Sequence, residues 1–248
     1  ALKLQTMVQD RLTVAYRLIL GLSADPIHMG HIEMLSQAYQ CLRDRGYRIA
    51  GALLIPVYRR NPVGASKERL PETFHHRCIM CQLAARYINR RLALPKGSFA
   101  VSSIEAELAR GREAPNYTAE TLSLLKARSE PGAELVFLIS SELVSGVDPQ
   151  FGHWYQVDTI LNVAALTICP RPGYALNNDF VGSLVERGAH VIVLPEVETP
   201  DISATDLRNQ MRAGVSPQTL EQQGLLIPSV ARYLARHSLY GPGGTVAC

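Results

Sequence analysis

His28 and His31 stand three residues apart in "GLSADPIHMGHIEM", residues 21–34, inside a turn rich in Gly, Ser, Asp and Pro. Two imidazoles at that spacing can ligate a metal, cap a helix or meet a phosphate. A zinc site needs further ligands, and no third or fourth sits at a suitable spacing nearby. The turn joins the strand-like run "YRLILGL" to a helix that begins near Gly30. A helix N-terminus presents backbone N–H groups and the positive end of its dipole, which favour a phosphate. Gly30 lets the backbone approach closely, and the two imidazoles add donors that stabilise charge without covalent chemistry. The pair alone also fits solvated turn residues; the strand-to-helix frame moves the balance toward an anion.

"ISATDLR", residues 202–208, is a second candidate of the same kind. Ser203 and Thr205 can cap a helix, and Arg208 within its first turns can hold phosphate oxygens in a fork. An ordinary capped surface helix is the alternative. "HHRCIMC", residues 75–81, places His75, Cys78 and Cys81 near one helix face. Without a second Cys/His cluster it is expected to be a packed helix carrying small sulfur residues, so no metal is assigned. The glycine-rich phosphate loop ending in Gly-Lys-Ser/Thr is absent.

The elements that must position these residues alternate strand and helix. "RIAGALLIP", "SFAVSSI", "AELVFLIS", "ALTICP" and "HVIVLP" read as strands. Helices are expected over "GHIEMLSQAYQCLRDRGY", up to about Arg91, and over "NYTAETLSLLKARS", "HWYQVDTILNVA", "NNDFVGSLVERG", "SATDLRNQMRAG" and "IPSVARYLARHSLY". In the first, Ile32, Leu35, Tyr39 and Leu42 face inward; in the second, Ile79, Leu83 and Tyr87 share a face. Thr118 is expected to cap the third. Such alternation implies a Rossmann-like α/β fold: a doubly wound, mostly parallel sheet with helices on both faces, plus a small helical C-terminal extension. One domain is expected over 1–248, with its core at about 17–240 and a flexible tail at 241–248.

Bulk properties bound the function. Hydrophobic residues make up 47% and charged residues 19%, an ordinary globular balance, and the net charge of +3 is too mild for general nucleic-acid binding. No apolar run suits a membrane span, and the opening residues lack a secretory pattern. The start at Ala1 is that of a processed product or of a piece of a longer protein. Five scattered cysteines fit reduced thiols in a cytoplasmic protein.

The first motif resembles the Gly-Gly-Thr-Phe-Asp-Pro-Ile-His-x-Gly-His signature of bacterial nicotinate-mononucleotide adenylyltransferases, within the wider His-x-Gly-His nucleotidyltransferase superfamily. It reads here Gly21, Leu22, Ser23, Ala24, Asp25, Pro26, Ile27, His28, Met29, Gly30, His31. "ISATDLR" is similar to the superfamily's Ile-Ser-Ser-Thr-x-Ile-Arg, with Ala204 for the second Ser. "PNYTAETL" and "ICPRPGY" resemble further family segments, so the likeness runs in order from about Arg17 to Tyr240.

The resemblance implies that ATP is joined to nicotinate (or nicotinamide) mononucleotide with release of pyrophosphate, in NAD biosynthesis. His28, His31 and Arg208 are its catalytic residues. Gly21, Leu22, Ser23, Gly30, Ser140, Glu142, Ile202, Ser203 and Thr205 border ATP, and Mg²⁺ arrives with the ATP. Asp25, Arg60, Lys67, Tyr117, Thr118, Phe151 and Arg171 border the mononucleotide. A homo-oligomer is compatible with this; nucleic acid and membrane are not partners. Departures cluster on base and acceptor recognition: "ISSEL" replaces a Gly-Ala-Asp segment, and Phe151 stands where the family has a ring-stacking Trp. A different acceptor or nucleotide donor, or a binding module without activity, are therefore the alternatives.

Overall fold

A computed structural model describes residues 14–59, 73–112 and 114–242. Arg60 and Lys67 lie outside the described residues, as do 243–248 of the tail. The strands are β1 (Tyr16–Leu22), β2 (Ile49–Pro56), β3 (Phe99–Val101), β4 (Glu134–Ser140), β5 (Ala164–Cys169) and β6 (Val191–Val193). They form one sheet of order β3-β2-β1-β4-β5-β6. The pairs β1 with β4, β4 with β5, and β5 with β6 are parallel. The order runs down from β3 to β1 and up from β4 to β6, the winding of a Rossmann-like α/β fold. Strands of a parallel sheet are covered on both faces, and accordingly all of β5 and the middle of β4 are buried.

The described helices are α1 (Met29–Asp44), α2 (Phe74–Arg91), α3 (Ile104–Leu108), α4 (Thr118–Ala127), α5 (Val157–Val163), α6 (Asn178–Glu186), α7 (Ala204–Arg212), α8 (Pro217–Gln222) and α9 (Pro228–Arg236). On α1, Ile32, Leu35, Tyr39 and Leu42 are all buried, as their spacing requires. On α2 the buried stripe is instead Arg77, Met80, Cys81, Ala84, Ala85, Ile88 and Asn89, one residue on from the expected Ile79, Leu83 and Tyr87. The reason is chemical. Arg77 and Asn89 find backbone partners inside, so polar residues occupy the face that a hydrophobic count would assign outward.

Two short helices escaped the sequence reading. Ile104 opens α3 rather than closing a strand, where Ser102 Oγ accepts from its N–H at 3.3 Å. Ser216 caps α8 by accepting from Thr219 N at 3.0 Å, with Pro217 as first helical residue. Tyr117, not Thr118, is the residue preceding α4.

By internal contacts the chain separates into two compact units. One takes the opening of the chain to Leu20, Met34–Leu53 and Tyr117–Thr199; the other takes Gly21–Glu33, Leu54–Asn116 and the chain from Pro200 on. The first holds β4, β5 and β6 with α4, α5 and α6. The second holds the histidine turn, α2, β3, α3 and the C-terminal α7, α8 and α9, with α9 packed on α8 and α2.

Candidate active site

In the second unit the chain leaves β1 at Leu22 and enters α1 at Met29, so the histidine turn occupies 23–28. Ala24 has φ 53°, and the Asp25–Pro26 peptide is cis. The two imidazoles lie against each other, with ring centroids 3.8 Å apart and planes tilted by 44°. His28 is buried and His31 partly so. His31 Nδ1 accepts from the backbone N–H of His28 at 3.4 Å. With Nδ1 accepting, a neutral His31 carries its ring proton on Nε2. The first turn of α1 carries no acidic residue, so its positive dipole end is not neutralised locally. Met29 N donates to Leu225 O at 3.0 Å, which ties the helix start to the C-terminal part of the same unit.

Arg208 reaches this turn from 183 residues away: its Nη1 donates to the carbonyl oxygen of Asp25 at 2.6 Å. Its Nη2 donates to Thr205 Oγ1 at 3.1 Å. Its Nε is buried and makes no hydrogen bond with a described residue. Ser203 caps α7 by accepting from Asp206 N at 3.4 Å, whereas Thr205 serves Arg208 rather than the cap. Ile202 is buried beneath the cap, and Ser23 is half-buried. The histidine turn and the late guanidinium thus meet within one unit, at the Asp25 carbonyl.

Gly30 shows how tight that cluster is. A Cβ there would stand 3.0 Å from His28 Cε1 and Nδ1, and 3.4 Å from the carbonyl oxygen of Pro200. Gly30→Ala removes a poor helix former, worth about 0.5–1 kcal/mol in a helix interior. It also pushes the His28 ring by a few tenths of an ångström. The expected result is an unchanged or raised melting temperature with turnover lowered about 10-fold, since sub-ångström misplacement of reacting groups is costly. Melting curves beside steady-state rates check it; wild-type turnover would mean that the ring tolerates the push.

Two residues of this unit were missed. Arg77 is 1% exposed, and its Nη1 donates to the carbonyl oxygens of Ser23 at 2.9 Å and Val57 at 2.6 Å. Burial pushes its guanidinium below the ordinary arginine range, while Asp25 and Tyr240 act the other way. Removing one partner of such a buried charge typically costs about 3–5 kcal/mol. Tyr240 Oη donates to Asp25 Oδ1. Asp25, expected at the mononucleotide, is therefore a buried carboxylate engaged by protein groups, 1% exposed. No hydrophobic pattern announces a buried arginine, which is why α2 hid it.

The first unit gathers the other candidates. The β4–β5 register sets Ser140 opposite Cys169, so the segments after the two strands run side by side. There Arg171 Nη1 donates to Glu142, and the guanidinium lies 5.4 Å from the Tyr174 ring centroid. Glu142 and Arg171 were assigned to two different ligands; they pair with each other. The neighbouring Ser141, not Ser140, is the buried hydroxyl: it accepts from Arg171 N at 2.9 Å and donates to Tyr174 O at 2.7 Å. Phe151 is 0% exposed, with its ring centroid 5.3 Å from that of Trp154. It offers no open ring face, a correction to its expected stacking role that follows from its packing in the core. The exposed ring of this segment is Tyr155, 46% exposed, which lies 4.3 Å from Tyr117 by centroids at 32°. Thr118 is half-buried at the start of α4.

His76 Nδ1 and Tyr233 Oη lie 2.7 Å apart, joining α2 to α9. Burial and the neighbouring His237 and His75 hold the His76 imidazole below its usual range. Cys81 is fully buried, and burial raises its thiol well above the ordinary value. This face of α2 is thus packing between helices.

The sequence pattern of the cytidylyltransferase-like family matches residues 19–210. A protein of Hydrogenovibrio crunogenus described as a probable nicotinate-nucleotide adenylyltransferase is 29% identical over 231 residues, covering 89% of this chain and 95% of that protein. A Roseiflexus protein of the same description is 30% identical over 225 residues, covering 90% and 96%. Among solved structures, nicotinic acid mononucleotide adenylyltransferase of Plasmodium falciparum complexed with NaAD has a TM-score of 0.68 at 16% identity, covering 91% and 97%. At that identity the likeness speaks for the fold.

Proposed function

The chain belongs to the cytidylyltransferase-like family and to its nicotinate-nucleotide adenylyltransferases, and from this we propose that it joins ATP to nicotinate mononucleotide, releasing pyrophosphate. The observation that carries the proposal is the bond from Arg208 Nη1 to the Asp25 carbonyl, which brings the guanidinium to the histidine turn.

The chemistry needs no enzyme nucleophile. A phosphate oxygen of the mononucleotide attacks the α-phosphorus of ATP in line; the bond to the β-phosphate oxygen breaks, and pyrophosphate leaves. Catalysis is then positioning and charge stabilisation. In this reading His31 donates from Nε2 to the α-phosphoryl oxygens, with His28 and the start of α1 beside it. Arg208 grips the β- and γ-phosphates with the guanidinium protons not given to Asp25 or Thr205, while Thr205 fixes the fork and Ser203 the helix start. Gly21, Leu22, Ser23, Gly30 and Ile202 shape the backbone around the nucleotide.

Ser140 and Glu142 serve the adenosine, and Tyr117, Thr118 and Arg171 the pyridine mononucleotide. Tyr155 takes the stacking role expected of Phe151. Mg²⁺ would enter as part of the ATP substrate and would neutralise phosphate charge. Among the described residues no group of three or more His, Cys, Asp or Glu could hold a metal ion. Among them, too, no helix is long and apolar enough to cross a membrane. The proposal is of a cytoplasmic enzyme with no nucleic-acid or membrane partner.

Pyrophosphate release over a panel of nucleoside triphosphates and phosphorylated acceptors tests it. Turnover with ATP and nicotinate mononucleotide well above every other pair is expected. Preference for another pair would assign the Glu142–Arg171 departure to a changed specificity, and binding of ATP without turnover with any acceptor would sink the enzymatic reading.

A further inference from the structure

Arg77 has no place in the scheme above, yet it is the largest fully buried side chain of the described residues. Its Nη1 spans two backbone carbonyls that follow different strands: Ser23, just beyond β1, and Val57, just beyond β2. Val57 N in turn donates to Leu22 O at 2.9 Å, so these ends are joined twice. The Phe74 ring, one turn earlier on α2, lies 5.6 Å from the guanidinium carbon. Tyr240 Oη holds the carboxylate of Asp25 from the other end of the unit, and Asp25 is also the residue whose carbonyl receives Arg208. The histidine turn is therefore fastened at Ser23 and at Asp25, five and three residues before His28.

We propose that Arg77 and Tyr240 are positioning residues for the adenylyl transfer: Arg77 through Ser23 and Tyr240 through Asp25 fix the turn that aims His28 and His31. This rests on the activity assigned above. Neither residue touches substrate in this scheme. A guanidinium suits the task because its planar fork serves several carbonyl acceptors while keeping its charge, which the ammonium of lysine, a point donor on a flexible stem, does not reproduce. The catalytic consequence is geometric. A turn released at Ser23 lets the imidazoles drift, and drift of about 1 Å can cost on the order of 10²-fold in rate.

Arg77→Lys and Tyr240→Phe test this in the full chain. Three readouts are taken: melting temperature, kcat and KM for each substrate, and long-range ¹H–¹⁵N spectra of the histidine rings, assigned by single histidine replacements. Both variants are expected to fold. Arg77→Lys lowers kcat by about 10-fold or more while KM for each substrate moves by less than about threefold, and Tyr240→Phe does the same to a smaller degree. The ring signals of His28 and His31 shift, whereas those of His153, remote in sequence and in the other unit, stay. A folded Arg77→Lys protein with wild-type kcat, or one slower only in proportion to unfolded protein with His28 and His31 signals unmoved, overturns the proposal. If Arg77→Lys fails to fold, the Tyr240→Phe spectra decide alone, and unmoved His28 and His31 signals overturn it. The spectra need no substrate. Failure of the wild-type protein to turn over nicotinate mononucleotide therefore rejects the activity, while the ring signals still judge the fastening.

Discussion

Replacing His31 by alanine lowers turnover by about 10²-fold or more and leaves the fold intact. Loss of one preorganised donor to developing charge typically costs this much. The effect falls on kcat because the donor matters most when charge grows on the α-phosphoryl and leaving oxygens. Stability is expected to change little, since His31 is partly exposed and its acceptance from His28 N is long, at 3.4 Å. His31→Gln separates donor from size: its amide can still donate, and part of the rate returns. Steady-state rates beside circular dichroism decide the matter. Wild-type-like turnover in a folded His31→Ala protein would remove the imidazole from the mechanism.

Arg208→Ala is expected to be the more damaging change, with kcat/KM for ATP reduced by about 10³-fold and KM for nicotinate mononucleotide nearly unmoved. Two losses combine. The triphosphate loses a charge-assisted fork, each such interaction being worth roughly twice a neutral hydrogen bond. The turn also loses its tether at the Asp25 carbonyl, a bond of 2.6 Å, which lowers stability by about 1–3 kcal/mol. Arg208→Lys restores charge but not the fork, so it recovers less than about 10-fold of the loss. Kinetics with each substrate varied in turn, and thermal melts, read the two losses separately. Equal rises in KM for both substrates, or ATP kinetics within threefold of wild type, would contradict a triphosphate clamp.

Much of this site was legible from residue types. The strand–turn–helix frame around His28 and His31 depends on local signals: an apolar run, a turn of Gly, Asp and Pro, and an amphipathic helix. Ser203 as cap and Arg208 one turn later follow from the same local logic. Phe151 was misjudged because an aromatic residue in a loop reads equally as a stacking ring or as core, and its complete burial is decided by Trp154 and other distant neighbours. Glu142 and Arg171 could not be paired in advance, since 29 residues and the β4–β5 register intervene. Arg77 was invisible for a related reason. An arginine on a helix reads as solvated until the fold supplies carbonyls to receive it.

The amino-acid sequence alone determined the alternation of elements, the strand ends and helix starts that frame the two motifs, and the family likeness carried by "DPIHMGH" and "ISATDLR". These depend on periodicity, capping and turn chemistry, which act over a few residues. Only the tertiary structure decided that Arg208 meets the Asp25 carbonyl, that Tyr240 secures the same residue's carboxylate, and that Arg77 is buried beneath the turn. Those contacts join residues far apart in the chain, and the energy that selects them, burial of charge against matching acceptors, exists only once the sheet and helices have closed around it.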